Sequence, residues 1–122
     1  MPKQGRNRGQ ITAEGQTTPT VAVGAGWGAT RSAALTTGAN DVAGQVVVTA
    51  AGGTYAQATA TVTITFGSAY AATPRAVLLS MVNEVAIDTG HASYTVSTTA
   101  LVITYKVLPA AGAYTFDYLV IA

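Results

Sequence analysis

The chain has 122 residues and a mass of 12.3 kDa, room for one ordinary domain and not for two. Hydrophobic residues make up 49% and charged residues only 9%, against about 25% charged in an average soluble domain, and the net charge of +1 excludes a broadly polycationic nucleic-acid binder. With no cysteine and a single histidine, the chain cannot be a disulfide scaffold, use a thiol nucleophile or build a Cys-ligated or multi-histidine metal centre.

Residues 1–19 differ in composition from the rest of the chain. Lys3, Arg6 and Arg8 hold half of the basic charge, and the first acid is Glu14. Glycines at 5, 9 and 15, with Pro2 and Pro19, work against regular structure, and Ile11 is the one large aliphatic residue between Pro2 and Thr20. The segment reads as an extended basic arm. It lacks the apolar stretch that a secretory signal places behind its basic start, and no apolar run approaches the ~20 residues of a membrane span. Absence of cysteine fits assembly in a reducing cytoplasm.

From Thr20 onward the dominant pattern is period two, the signature of half-buried strands. Strands are expected at residues 20–23, 29–35, 45–50, 58–66, 76–83, 93–97, 101–107 and 114–122. The clearest is 58–66, where Ala58, Ala60, Val62, Ile64 and Phe66 share one face and four threonines share the other. In 114–122, Tyr114, Phe116, Tyr118 and Val120 lie opposite Thr115, Asp117, Leu119 and Ile121. That second face turns apolar toward its end, which predicts cover on both sides there. Gly- and polar-rich segments punctuate the strands, and Gly52-Gly53 suits a hairpin turn between two of them. No helical stripe is present. About eight short strands at 8–12-residue spacing predict an all-β chain, an antiparallel β-sandwich or barrel, over residues 20–122.

Few residues carry chemistry. Asp88-Thr89-Gly90 has the tripeptide of an aspartic protease turn, but His91 follows the glycine and no later apolar-apolar-Gly element supports it; a plain turn is the simpler reading. Asp88, His91 and Ser93 have triad residue types, yet they crowd into six residues with no oxyanion-hole motif. Asp88 with His91 would give two metal ligands where three or four are needed. Gly24-Ala25-Gly26-Trp27-Gly28 has the glycine content of a dinucleotide loop but no helix behind it to hold a pyrophosphate. It reads as a flexible turn carrying Trp27, either an interface anchor or a residue buried in its own sandwich. Tyr94, Tyr105, Tyr114 and Tyr118 read as core or inter-strand fillers, while Tyr55 and Tyr70, near turns, are candidates for sugar stacking or subunit contact. The chain is expected to be non-enzymatic, with no cofactor and no metal.

The order of segments carries a resemblance. An Asn-Asp-x-Ala-Gly turn (Asn40 to Gly44), a Phe-Gly-x-x-Tyr-x-x-x-Pro stretch (Phe66 to Pro74) and an aromatic last strand with an apolar end resemble small β-sandwich proteins of phage virions. These are capsid decoration proteins and the tip domains of head or tail fibres, and the similarity covers residues 20–122. It implies a jelly-roll-like sandwich, commonly a homotrimer, standing on a virion surface with no enzymatic activity. Of the two roles, decoration is expected here, since no repeats or heptads of a stalk precede the domain. The expected partner is the major capsid protein, touched by Lys3, Arg6, Asn7, Arg8 and Gln10 of the arm; neither nucleic acid nor membrane is expected as a partner. The fibre-tip alternative would bind a host glycan.

Overall fold

The computed structural model describes residues 17–82 and 92–122. Eight strands form in chain order: β1 (Thr20–Val23), β2 (Ser32–Leu35), β3 (Ala43–Ala50), β4 (Thr61–Thr65), β5 (Ala76–Val82), β6 (Ala92–Val96), β7 (Ala100–Tyr105) and β8 (Gly112–Ile121). They make two four-stranded antiparallel sheets, ordered β1-β4-β7-β6 and β2-β3-β8-β5. Short 3-10 turns at Ala25–Trp27 and Gln57–Thr59 are the helical elements among the described residues.

The alternation in sequence becomes the two sides of each sheet. Val62 and Ile64 of β4, Leu101 and Ile103 of β7, Val46 and Val48 of β3 and Phe116 of β8 point inward and are fully buried. Removing such side chains from water is the main stabilising term, about 1.5–3 kcal/mol apiece. One end of the core is aromatic. Trp27 stacks on Tyr105 with ring centroids 5.4 Å apart, and Tyr114 and Phe116 pack around the pair. The Trp27 indole N–H donates to the Thr61 carbonyl at 3.0 Å, so the buried polar atom is satisfied. Trp27 therefore belongs to the core, held in a 3-10 turn.

Several boundaries move for visible reasons. The strand expected from Ala58 begins at Thr61, and Ala58 sits exposed in the second 3-10 turn. Neighbours run out there: β1 reaches only Val23 opposite Val62, and β7 ends at Tyr105. The strand expected from Ala29 begins at Ser32, because Ala29 and Thr30 instead hydrogen-bond to Gly53 and Ala51 carbonyls. Gly52 and Gly53 do take positive φ, 90° and 72°, conformations that glycine adopts at little cost. They do not close a hairpin, since β3 and β4 lie in different sheets. The loop carries the chain across the sandwich. Tyr94, expected as a filler, is 37% exposed at the sheet edge, and its hydroxyl accepts the Val77 N–H at 3.1 Å. It bridges edge strand β6 to edge strand β5 of the other sheet.

Candidate functional site

The most elaborate polar arrangement among the described residues lies where residue 17 enters the sandwich. Its centre is Asp41, only 3% exposed. The carboxylate accepts the Gly67 N–H at 2.8 Å through Oδ1, the Ser68 N–H at 3.0 Å through Oδ2, and the Thr17 hydroxyl. Its own N–H donates to the Thr17 carbonyl at 3.1 Å, and its carbonyl accepts the Tyr70 hydroxyl at 2.6 Å. A buried carboxylate needs such donors to compensate its lost hydration.

Local sequence explains the geometry. Asn40 Oδ1 accepts the N–H groups of Val42 and Ala43 at 2.8 and 3.0 Å, an Asx turn that fixes Asp41 beside it. The Asn40 carbonyl accepts the Tyr118 hydroxyl at 2.6 Å. Gly44 leaves room for that ring, since a Cβ there would lie 2.6 Å from the Tyr118 hydroxyl oxygen. A Cβ on Gly67 would come within 2.6 Å of the Thr18 carbonyl oxygen, so glycine is required for the chain entering from residue 17 to pass. The Tyr70 ring stands edge-on to Phe66 at 4.9 Å. The two motifs, 26 residues apart at Asp41 and Gly67, are thus the two halves of one clamp.

Electrostatics at the clamp are set by burial. Burial raises the Tyr118 phenol to about 12, with the Asp41 charge and then Tyr70 adding to the effect. Burial raises Tyr70 as well, with Asp41 second. Both phenols remain neutral hydrogen-bond donors at physiological pH. Tyr70 is therefore committed to the clamp, and Tyr55 is half-buried against the core.

The opposite end of the sandwich carries the loops around Trp27, residues 51–60 and residues 106–111. Val107 and Leu108 there are 37% and 57% exposed. On the outer face of the second sheet, two shallow depressions meet at Asp117. One of ≈ 200 Å³ lies along Leu78, Ser80 and Leu119, and one of ≈ 460 Å³ along Thr36, Ala43 and Gln45. Gln45 Nε2 donates to Asp117 Oδ1 at 2.8 Å.

The arm residues Lys3, Arg6, Asn7, Arg8 and Gln10 lie outside the described residues, as do Asp88, Gly90 and His91. Ser93 is on β6, half-buried. Among the described residues no three His, Cys, Asp or Glu side chains gather as a metal site, and no helix is long and apolar enough to cross a membrane. Sequence reasoning does not single out Asp41 as a site residue. Its signal is present in the Asn-Asp turn, but its partners are distant in the chain. Compared with known family models, curated proteins and solved structures, the chain matches none.

Proposed function

We propose that this chain is a non-enzymatic capsid decoration protein, a homo-oligomeric sandwich (three copies, by the resemblance) attached by its basic arm to the outer shell of a bacteriophage. The major capsid protein is its partner, and the virion surface is its location after assembly in the host cytoplasm. The observation that carries this reading is the clamp: Asp41, Gly67, Ser68 and Tyr70 give the segment before Thr17 a fixed origin on a rigid body. An anchored origin is what a tether needs, because tension on it is borne by folded structure. Residues 1–16, fully extended, would reach up to ~55 Å from that point, enough to cross onto neighbouring shell subunits. Lys3, Arg6 and Arg8 suit an acidic patch, with arginine able to bind carboxylates in bidentate fashion.

Deleting residues 1–12 spares Thr17 and tests the role of the arm. The truncated protein should keep its circular dichroism and oligomeric state while its binding to empty capsids falls at least ~10-fold. Attachment of the intact protein should weaken as salt is raised. Equal decoration by truncated and intact chains would refute the tether. A second reading, the fibre tip binding a host glycan, is favoured by one observation: exposed Val107 and Leu108 stand at the end away from the clamp. Binding to host cells rather than capsids would select it.

A further inference from the structure

The two outer faces of the sandwich differ in kind. On β1-β4-β7-β6 the outward positions are largely hydroxylic, with Thr20, Thr61, Thr63 and Thr65 among them. Threonine suits a strand face in contact with water. On β2-β3-β8-β5 an aliphatic row of Ala43, Leu119 and Leu78 runs in register beside a polar row of Gln45, Asp117 and Ser80. Leu78 is 57% exposed, and Leu119 and Ile121 are only half-buried. The cover expected over the end of β8 is therefore not supplied by the described residues of this chain. The depressions of ≈ 200 and ≈ 460 Å³ meet at Asp117 on this face. Gln45 takes only one of its oxygens, Oδ1, and Oδ2 accepts no hydrogen bond among the described residues.

We propose that this face is the docking site of the chain's own arm, with Arg8 against Asp117 and Ile11 over Leu119. The occupant follows from where the chain enters, how far it reaches and what charge it carries. Asp41 holds Thr17, and Ala39, two residues from Asp41, lines the larger depression. Thr17 and Asp41, joined through backbone, lie ~5 Å apart. From Asp41 to Ala43 is at most ~7 Å, and the step across to Leu119 adds ~5 Å. Asp117 lies two residues further along the sheet, within ~24 Å of Thr17 in all. Arg8 is nine residues from Thr17, a reach of up to ~30 Å. Ile11 is six residues away, a reach of up to ~20 Å. Both targets are within range.

Charge and composition match. Asp117 is the one carboxylate among the outward positions of the four strands, which carry no lysine or arginine. Arg75, just ahead of β5, is five residues from Ser80, the β5 partner of Asp117, or ~17 Å along the strand. The arm holds half of the chain's basic residues, and of its three cations Arg8 is the nearest to Thr17. Glu14, its one acid, is six residues nearer the clamp than Arg8. Ile11 is the one large aliphatic side chain between Pro2 and Thr20, and it meets the one row left uncovered. An exposed ion pair is a weak contact. A tether of under ten residues, however, holds the partners at an effective concentration in the millimolar range, so docking within one chain needs no large interface. The contact belongs to the free protein and does not depend on capsid attachment.

The chain has no cysteine, so Gln10→Cys carries a single nitroxide label on the full chain. Paramagnetic broadening in NMR spectra should reach the methyls of Leu78 and Leu119 and largely spare those of Thr20 and Thr65. Thr20 is three residues from Thr17 and pairs with Thr65, so the hydroxylic face is no further from the tether. Arg8→Gln and Asp117→Asn should each reduce the bias toward Leu78 and Leu119 about 2–5-fold with unchanged circular dichroism. Ile11→Ser should reduce it as well, and so should raised salt. Labelled chains without isotope, mixed with unlabelled enriched chains, should leave these methyls sharp. Equal broadening of the two faces, a bias indifferent to both Arg8→Gln and Asp117→Asn, or broadening between separate chains would overturn the inference. Each of these results leaves the decoration reading to be judged separately by capsid binding.

Discussion

Replacing Asp41 by alanine probes the clamp most directly. The substitution removes the acceptor for two backbone N–H groups, at 2.8 and 3.0 Å, and for the Thr17 hydroxyl. Hydrogen bonds to a charged acceptor contribute about 1.5–3 kcal/mol each. Gly67 and Ser68 are exposed residues, so water can reach their N–H groups once the carboxylate is gone, and the low end of that range applies. The expected loss is about 4–5 kcal/mol for the three bonds, a large part of the ~5–15 kcal/mol that stabilises a domain. The midpoint of thermal unfolding should fall by at least ~10 °C, given roughly 3–5 °C per kcal/mol for a chain between the small and larger domain sizes.

Urea unfolding followed by Trp27 fluorescence is the assay. Trp27 is the single tryptophan and is fully buried, so its emission reports the core and not the clamp itself. Asp41→Asn should lose less, about 2 kcal/mol, because its carbonyl oxygen still serves one N–H while its amide faces another donor. Unchanged m-values would place the effect in the folded state. A loss below about 1 kcal/mol for Asp41→Ala would refute the clamp as a stabilising centre and leave Thr17 without a fixed anchor.

The same geometry sets three further outcomes. Tyr118, neutral when buried and raised from 10.0 to about 12, contributes stability that is fully present below pH 10 and is lost as pH rises through 12; alkaline unfolding with tyrosinate absorbance should show this step, and Tyr118→Phe should remove it. Trp27→Ala empties the centre of the aromatic end and breaks the bond to Thr61, so calorimetry should read a loss of about 3–5 kcal/mol. Gly67→Ala forces a Cβ toward the Thr18 carbonyl and should cost about 1–3 kcal/mol by overpacking, with the change confined in NMR spectra to residues around Asp41 and Thr17.

The strands are readable in the sequence because threonine and aliphatic residues alternate, as in Thr61–Thr65, where Val62 and Ile64 go inward. What alternation cannot carry is the identity of a strand's neighbours. Residues 58 and 59 continue the pattern of β4 beyond the reach of its neighbours, so they turn, while the Ala60 carbonyl still accepts the Tyr105 N–H of β7. Gly52 and Gly53 have the composition of a hairpin turn, yet the next strand joins the other sheet. In β5, Val77 and Leu79 face inward and Leu78 outward; the run of three aliphatics hides that choice, which registry with β8 makes. Asn40-Asp41 and Phe66-Gly67 are each visible as turns. Their meeting is not, because no local rule links carboxylate and N–H groups so far apart in the chain.

Load applied at Thr17 would enter the fold by two paths. One runs through the Asp41 carboxylate to Gly67 and Ser68 and through Tyr70 to Phe66, which follows β4 of the first sheet. The other runs from Asn40 through the Tyr118 hydroxyl into β8, at the centre of the second sheet. Val120, two residues on, also donates its N–H to the Val42 carbonyl at 2.7 Å. Tension on the segment before Thr17 is therefore divided between both layers and does not peel the edge strand β1 from β4. The Tyr118 link is buried, so it cannot be exchanged cheaply for solvent, and the links to Thr17, Gly67, Ser68 and Tyr70 converge on the buried Asp41. A solvent-exposed ion pair at the same place would contribute at most ~1 kcal/mol and would weaken with salt. A buried carboxylate held by backbone N–H groups keeps its grip as ionic strength changes, which separates the root of the arm from the salt-sensitive contacts proposed for its basic residues.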